Sequence, residues 1–212
     1  VKTFTEYQNP AIYASFAGKN TNKTILFYNH YDVQPPEPLN EWQSDPFNPT
    51  FKDGKIIARG VSDDKGELMS RLSIIRYFNT HGGLPCNLKF FVEGEEEIGS
   101  PDIESYIANH DDQLTCDAII WEGAGKNTNE QFQVIAGAKG IVSFDVSVET
   151  AETDIHSSLA GYVPNAAWRL ITGLSTLIGT DNKTKVDHFY DQVPTLSSNE
   201  IHIISDRESR FD

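Results

Sequence analysis

The chain has 212 residues, of which 38% are hydrophobic and 11% aromatic, enough for one large domain or two small ones with a sizeable core. Its formal charge of -14 argues against nucleic acid and anionic membranes as partners, since both attract basic faces. Cys86 and Cys116 are too few for a disulfide scaffold and are expected to be reduced, and with no secretory leader recognised the expected location is cytoplasmic. No apolar run reaches the roughly 18 residues a membrane helix needs.

In chain order, residues 24–29 are apolar and rich in aromatic and β-branched side chains, which predicts a strand. A loop bearing Pro35, Pro36, Pro38, Pro46 and Pro49 follows. Asp53-Gly54 signals a tight turn, with a short strand over 55–58. Leu68, Leu72, Ile75 and Phe78 recur at intervals of three and four, predicting a helix over 65–81 that Gly82-Gly83 stops. Asp63 or Asp64 then stands where a cap belongs. Residues 87–92 read as a strand, 102–110 as a short helix and 117–121 as another strand. The alternation predicts an α/β fold with a parallel sheet covered on both faces. Near residue 137 the pattern changes. Ile141, Ser143, Val146 and Val148 alternate apolar with polar, predicting a half-solvated strand over 141–149, and an amphipathic helix over 165–178 follows. The expected domains are 1–136 and 137–212, the second of α+β type.

Three clusters follow apolar strand-like runs: Asn29-His30-Tyr31-Asp32, Glu93-Gly94-Glu95-Glu96-Glu97 and Glu122-Gly123. A fourth, Asp63-Asp64, opens a helix. Ligands of open α/β sheets bind beyond the carboxyl ends of the strands, so one fold brings all four clusters to one edge. Carboxylates crowded together repel unless a positive charge lies among them. Imidazole with carboxylate suits zinc, cobalt or manganese. His30 and Asp32, two apart on an extended segment, point to the same side, as a metal-bound histidine and its orienting carboxylate do. Each cluster alone has an ordinary reading as a strand-end histidine, a solvated acidic loop, a helix cap or a surface acid; their joint placement carries the metal reading.

The stretch Tyr28-Asn29-His30-Tyr31-Asp32-Val33-Gln34-Pro35 resembles the first metal motif of the co-catalytic zinc peptidases. These include the carnosinase-like dipeptidases, aminoacylases, glutamate carboxypeptidase and succinyl-diaminopimelate desuccinylase. The resemblance continues through Asp45-Pro46-Phe47, Asp53-Gly54-Lys55, Ser62-Asp63-Asp64-Lys65-Gly66 and Glu93 to Ser100, covering about residues 24–170. It implies part of the catalytic domain followed by the start of a lid and dimerisation domain. It further implies two divalent metal ions, zinc foremost with cobalt or manganese as alternatives. Asp63 would bridge them, His30 and Glu122 would bind one and Glu97 the other. Asp32 would orient His30, and Glu96 would be the general base. His156, in Asp154-Ile155-His156-Ser157, resembles a lid histidine that reaches a partner subunit's active site, which implies a homodimer. Asn165 resembles a lid asparagine near bound substrate.

Two departures stand out. Glu122 occupies a position where dipeptidase-like members usually carry aspartate and carboxypeptidase-like members glutamate. The family's last metal ligand is a histidine beyond the lid, and His188 and His202 have the wrong context to replace it; His81 and His110 read as surface groups at helix ends. The chain as it stands is therefore expected to be a fragment, catalytically inactive. The whole protein is expected to hydrolyse dipeptides or short peptides. The alternatives are an N-acyl amino acid amidohydrolase of the same family and a non-catalytic binding module on this fold.

Overall fold

The structure, a computed structural model, describes residues 1–123, 125–126, 129–135 and 140–208, the side chains of 204–208 excepted. It divides into two units, Val1–Ala138 and Lys139–Asp212.

The first unit is built on a five-stranded sheet. Its strands are β1 (Lys2–Phe4), β2 (Ala11–Phe16), β3 (Asn20–His30), β6 (Cys86–Glu93) and β7 (Ala118–Ile120), in the order β1-β2-β6-β3-β7. A two-stranded hairpin of β4 (Thr50–Lys52) and β5 (Lys55–Ile57) stands apart from it. β3 pairs in parallel with β6 on one side and β7 on the other, so all three end at the same edge. The expected parallel strands are thus present, but β2 runs antiparallel to both β1 and β6, and the sheet is mixed. The β1–β2 pair was not legible as strands: β1 is three residues long, and β2 is six residues of which Ala11, Ala14 and Ser15 are small.

β3 is covered on both faces, as a central strand should be. Leu26 and Tyr28 pack with Phe4, Ala11, Tyr13 and Phe91, against Tyr106 of α2 (Ile103–Asn109) and Leu114 of α3 (Asp111–Leu114). Phe27, on the opposite face by the two-residue period of a strand, packs with Leu88, Phe90, Val92 and Leu84 against Ile75 of α1 (Glu67–Thr80). Leu68, Leu72 and Phe78 complete the apolar stripe of α1. The helix ends as the glycine pair predicts, with Gly82 and Gly83 both at positive φ and the Gly83 N–H donating to Phe78 O at 2.7 Å.

Its start differs from the expectation. Residue Gly66 holds the cap position without a side-chain hydrogen bond, and neither Asp63 nor Asp64 serves there. Val61–Gly66 forms a wide turn in which Asp63 is extended (φ -117°, ψ 101°) and the two carboxylates part. Asp64 turns inward instead, to partners described below.

In the second unit α4 (Ala166–Ser175) carries the expected helix, and α5 (Ser198–Glu208) was not predicted. The strand expected over 141–149 is absent. Ile141 is 94% exposed, and the described residues of this unit contain no strand to accept its hydrogen bonds, without which alternation alone does not make one. No described helix is long and apolar enough to cross a membrane.

Candidate metal centre

His30 is the last residue of β3, opposite Glu93 at the end of β6, and is 1% exposed. Its ring lies between acids at both nitrogens. Nδ1 is 3.1 Å from Asp32 Oδ1, and Nε2 is 2.8 Å from Asp63 Oδ1 and 3.8 Å from Glu96 Oε2. Burial opposes a charge on this imidazole, but the Asp63 contact and the nearby Glu96 and Asp64 outweigh it and raise its pKa. With Nδ1–H given to Asp32, a proton on Nε2, or a metal cation in its place, offsets the negative charge of Asp63 and Glu96.

The acidic run after β6 is sorted by the fold. Glu93 is buried and accepts from the Tyr28 hydroxyl and from Ser100 Oγ, the latter at 2.8 Å. Glu95, also buried, accepts from Asn9 Nδ2 at 2.9 Å. Gly94 allows this packing, because a Cβ there would stand 2.3 Å from the Tyr31 ring. That leaves Glu96 and Glu97 for the site, and Asp32 fastens both by accepting their backbone N–H groups at 3.3 and 2.9 Å. Gln34 Nε2 donates to Glu97 Oε2 at 2.8 Å. Burial, together with Glu97, Asp63 and Asp32, raises the Glu96 carboxyl, partly offset by His30.

His30, Asp63 and Glu97 each offer one ligand atom, and the three atoms lie within 4.8 Å of one another. Glu122 stands outside this compact group, two residues beyond the end of β7. Its Oε2 is buried without a hydrogen-bond partner among the described residues, as is Asp64 Oδ1. Burial first, then the charges of Glu96 and Asp64, pushes the Glu122 carboxyl up to about 7.

The sequence offers Asp64 as a helix cap and does not single out Arg71, yet the fold gives both a supporting place beside His30. Asp64 Oδ2 accepts from Asn29 Nδ2 at 2.6 Å and from the His30 N–H at 3.1 Å. Arg71 is 7% exposed and reaches Tyr28, Asn29, Glu67 and Trp121. The available signal was an arginine inside the apolar stripe of α1, between Leu68 and Leu72. His110 is not the surface group expected: its ring stacks on Phe4 at 3.6 Å and pairs with Glu6 at 2.9 Å.

His156 and Asn165 lie in the second unit. The His156 Nδ1 accepts from the Ser158 N–H at 3.1 Å, which assigns the proton of the neutral ring to Nε2. Asn165 caps α4, its Oδ1 accepting from the Trp168 N–H at 3.2 Å. His188 pairs with Asp191 at 2.6 Å. Cys86 and Cys116 are both free.

Residues 26–203 match Peptidase family M20/M25/M40. The chain belongs to this family. It is 30% identical over 197 residues to the Beta-Ala-His dipeptidase of Homo sapiens, covering 91% of this chain and 39% of that protein. It is 31% identical over 201 residues to the Cys-Gly metallodipeptidase dug1 of Schizosaccharomyces pombe, covering 90% and 41%. Among solved structures it superposes on an M20 family metallo-carboxypeptidase, Sso-CP2 from Sulfolobus solfataricus, with a TM-score of 0.83 and 36% identity, over 97% of this chain and 47% of that one. The resemblance read from the motifs therefore holds, and the chain is a fragment in length relative to these proteins. M20 peptidases are metal-dependent, and this chain carries a candidate metal site in His30, Asp63 and Glu97.

The raised Glu122 carboxyl has a pH signature in the metal-free protein. Its pKa is about 7 when folded against an ordinary 4.5, so its contribution to stability is full below 4.5 and is lost as pH rises through 7. Glu122→Gln is expected to stabilise the chelator-treated full-length protein at pH 8 by on the order of 2 kcal/mol, the gain shrinking toward pH 4.5. Thermal melts across that range check this; a gain independent of pH would mean that charge is not its cause.

Proposed function

We propose that the whole protein hydrolyses dipeptides or short peptides at a centre of two divalent metals, with Glu96 as general base. The observation that carries this reading is the convergence of His30, Asp63 and Glu97 at the shared end of β3, β6 and the turn before α1. The donor set fits a metal: a buried imidazole flanked by carboxylates, with Glu122 and Asp64 each holding a buried oxygen that no donor among the described residues satisfies. His30 and Glu122 would hold one ion, Glu97 the other, and Asp63 both. Ions bound there, zinc foremost, with cobalt or manganese as alternatives, supply Lewis acidity and a water of lowered pKa.

The chain's own residues do the rest. Asp32 fixes the His30 ring through Nδ1 and fastens the Glu96-Glu97 backbone, so one carboxylate sets the positions of ligand and base together. Glu96 has a raised pKa, which suits it to take a proton from the attacking water and return it to the leaving amine. His156, with its proton on Nε2, would donate to the scissile carbonyl oxygen of a substrate bound by a partner subunit, in a homodimer formed through the second unit as lid. The first unit would then be the catalytic domain.

Hydrolysis assays on the full-length, zinc-loaded protein test this reading. The dipeptides Beta-Ala-His and Cys-Gly are expected to be cleaved with kcat/KM at least about tenfold above N-acyl amino acids, roughly 1.4 kcal/mol of discrimination, and chelation is expected to abolish both. A preference for N-acyl amino acids would favour the amidohydrolase reading, and no metal-dependent hydrolysis of either would favour a binding module.

A further inference from the structure

We infer that Glu67 and Arg71 are a positioning pair that holds Glu122 and the end of β3 in place for metal binding, an inference that rests on the proposed metal centre. β7 leaves the sheet at Ile120, and its ladder with β3 pairs only Ala118–Ile120, so the sheet does nothing to place residue 122. The two backbone groups on either side of Glu122 are instead fastened to one helix. Arg71 Nη2 donates to Trp121 O at 2.6 Å, and the Gly123 N–H donates to Glu67 Oε2 at 3.1 Å. Glu67 and Arg71 are themselves paired at 3.3 Å, one turn apart on α1.

The same guanidinium reaches the other half of the proposed ligand set. Arg71 Nη1 donates to Tyr28 O at 2.6 Å and to Asn29 Oδ1 at 2.8 Å. Asn29 in turn donates to Asp64, which also accepts from the His30 N–H. With Trp121 O and Glu67 Oε2, Tyr28 O and Asn29 Oδ1 make four acceptors, which a guanidinium with five N–H donors in a planar fork can serve and an ammonium with three cannot. The partners of Arg71 thus lie beside His30 at one end and Glu122 at the other. Glu97 is held by Asp32 and Gln34 instead, and neither of these contacts involves Glu67 or Arg71. The pair therefore supports the ion bound by His30 and Glu122 and not the one bound by Glu97.

The test is zinc titration of the full-length protein against a chromophoric chelator, with the melting temperature of the metal-free form measured alongside. Glu67→Ala is expected to weaken one of two zinc equivalents by about 10–100-fold, the range found for residues that orient ligands, and to leave the other and the metal-free melting temperature near wild type. Glu67→Gln keeps an acceptor for the Gly123 N–H and is expected to bind both equivalents within about threefold of wild type, since hydrogen bonding rather than charge is what it must supply. Arg71→Lys, which keeps the charge without the fork, is expected to weaken the same single equivalent and serves if the alanine variant does not fold. Two equivalents of wild-type strength in Glu67→Ala or Arg71→Lys, or both equivalents weakened equally, would overturn the inference alone. A wild-type protein that binds no zinc would overturn the metal centre and this inference with it.

Discussion

Glu96→Gln in the full-length protein is expected to lower kcat by about 10²–10⁴-fold, the usual worth of a general base, while zinc content stays at the wild-type level. The substitution keeps the size and hydrogen-bonding capacity of the side chain and removes its ability to accept a proton. Glu96 Oε2 lies 3.8 Å from His30 Nε2, beside the compact group of ligand atoms without belonging to it. Its backbone is held by Asp32 through a contact the substitution leaves alone. Steady-state kinetics with elemental analysis of the same preparation checks this. If zinc is lost along with turnover, Glu96 is a ligand and the roles of Glu96 and Glu97 must be exchanged.

His156→Ala is expected to cost about 10²–10³-fold in kcat, the scale for losing one donor to a developing oxyanion, with a smaller effect on KM. The basis is the Ser158 N–H bound at Nδ1, which leaves Nε2–H as the donor. The proposed action across subunits makes a sharper prediction. A dimer mixing a His156→Ala chain with a Glu96→Gln chain has one site with an intact Glu96 and the partner's intact histidine, so each mixed dimer formed from two nearly inactive chains is expected to show half of the activity of a wild-type dimer. Mixed dimers that form but recover no activity would rule out the action in trans.

What could be read from residues alone was the part of the fold in which one strand face repeats another. Residues 24–29 and 87–92 are apolar because β3 and β6 are covered, and the polar residues that end them emerge at one edge; β7, at the edge of the sheet, is as apolar in sequence but exposed, with Ile119 54% and Ile120 43% exposed. The joint placement of His30, Asp63 and Glu97 was legible there, with Asp32 and Glu96 beside His30, whereas Glu122 stands outside that group. The β1–β2 pair was not legible, since its strands are short and their pairing with β6 is a property of the assembled sheet. Alternation misled over 141–149, where a strand pattern has no described partner within its unit. The supporting contacts were also invisible. Asp64 suits a helix cap in sequence, yet in the fold it accepts from Asn29 and His30, and Glu93 and Glu95 turn inward from an acidic run that reads as solvated. Arg71 looks like an interruption of an apolar stripe until Tyr28 O, Asn29 and Trp121 O are brought around it. Such partners come from segments tens of residues apart, and local pattern carries no record of them.

The most direct test is anomalous diffraction at the zinc edge from zinc-loaded crystals of the full-length protein. Two peaks are expected, with the Asp63 carboxylate between them, His30 and Glu122 on one ion and Glu97 on the other, and with no oxygen of Glu96 as a ligand. Zinc bound elsewhere, or His30 and Glu122 on different ions, would contradict the account.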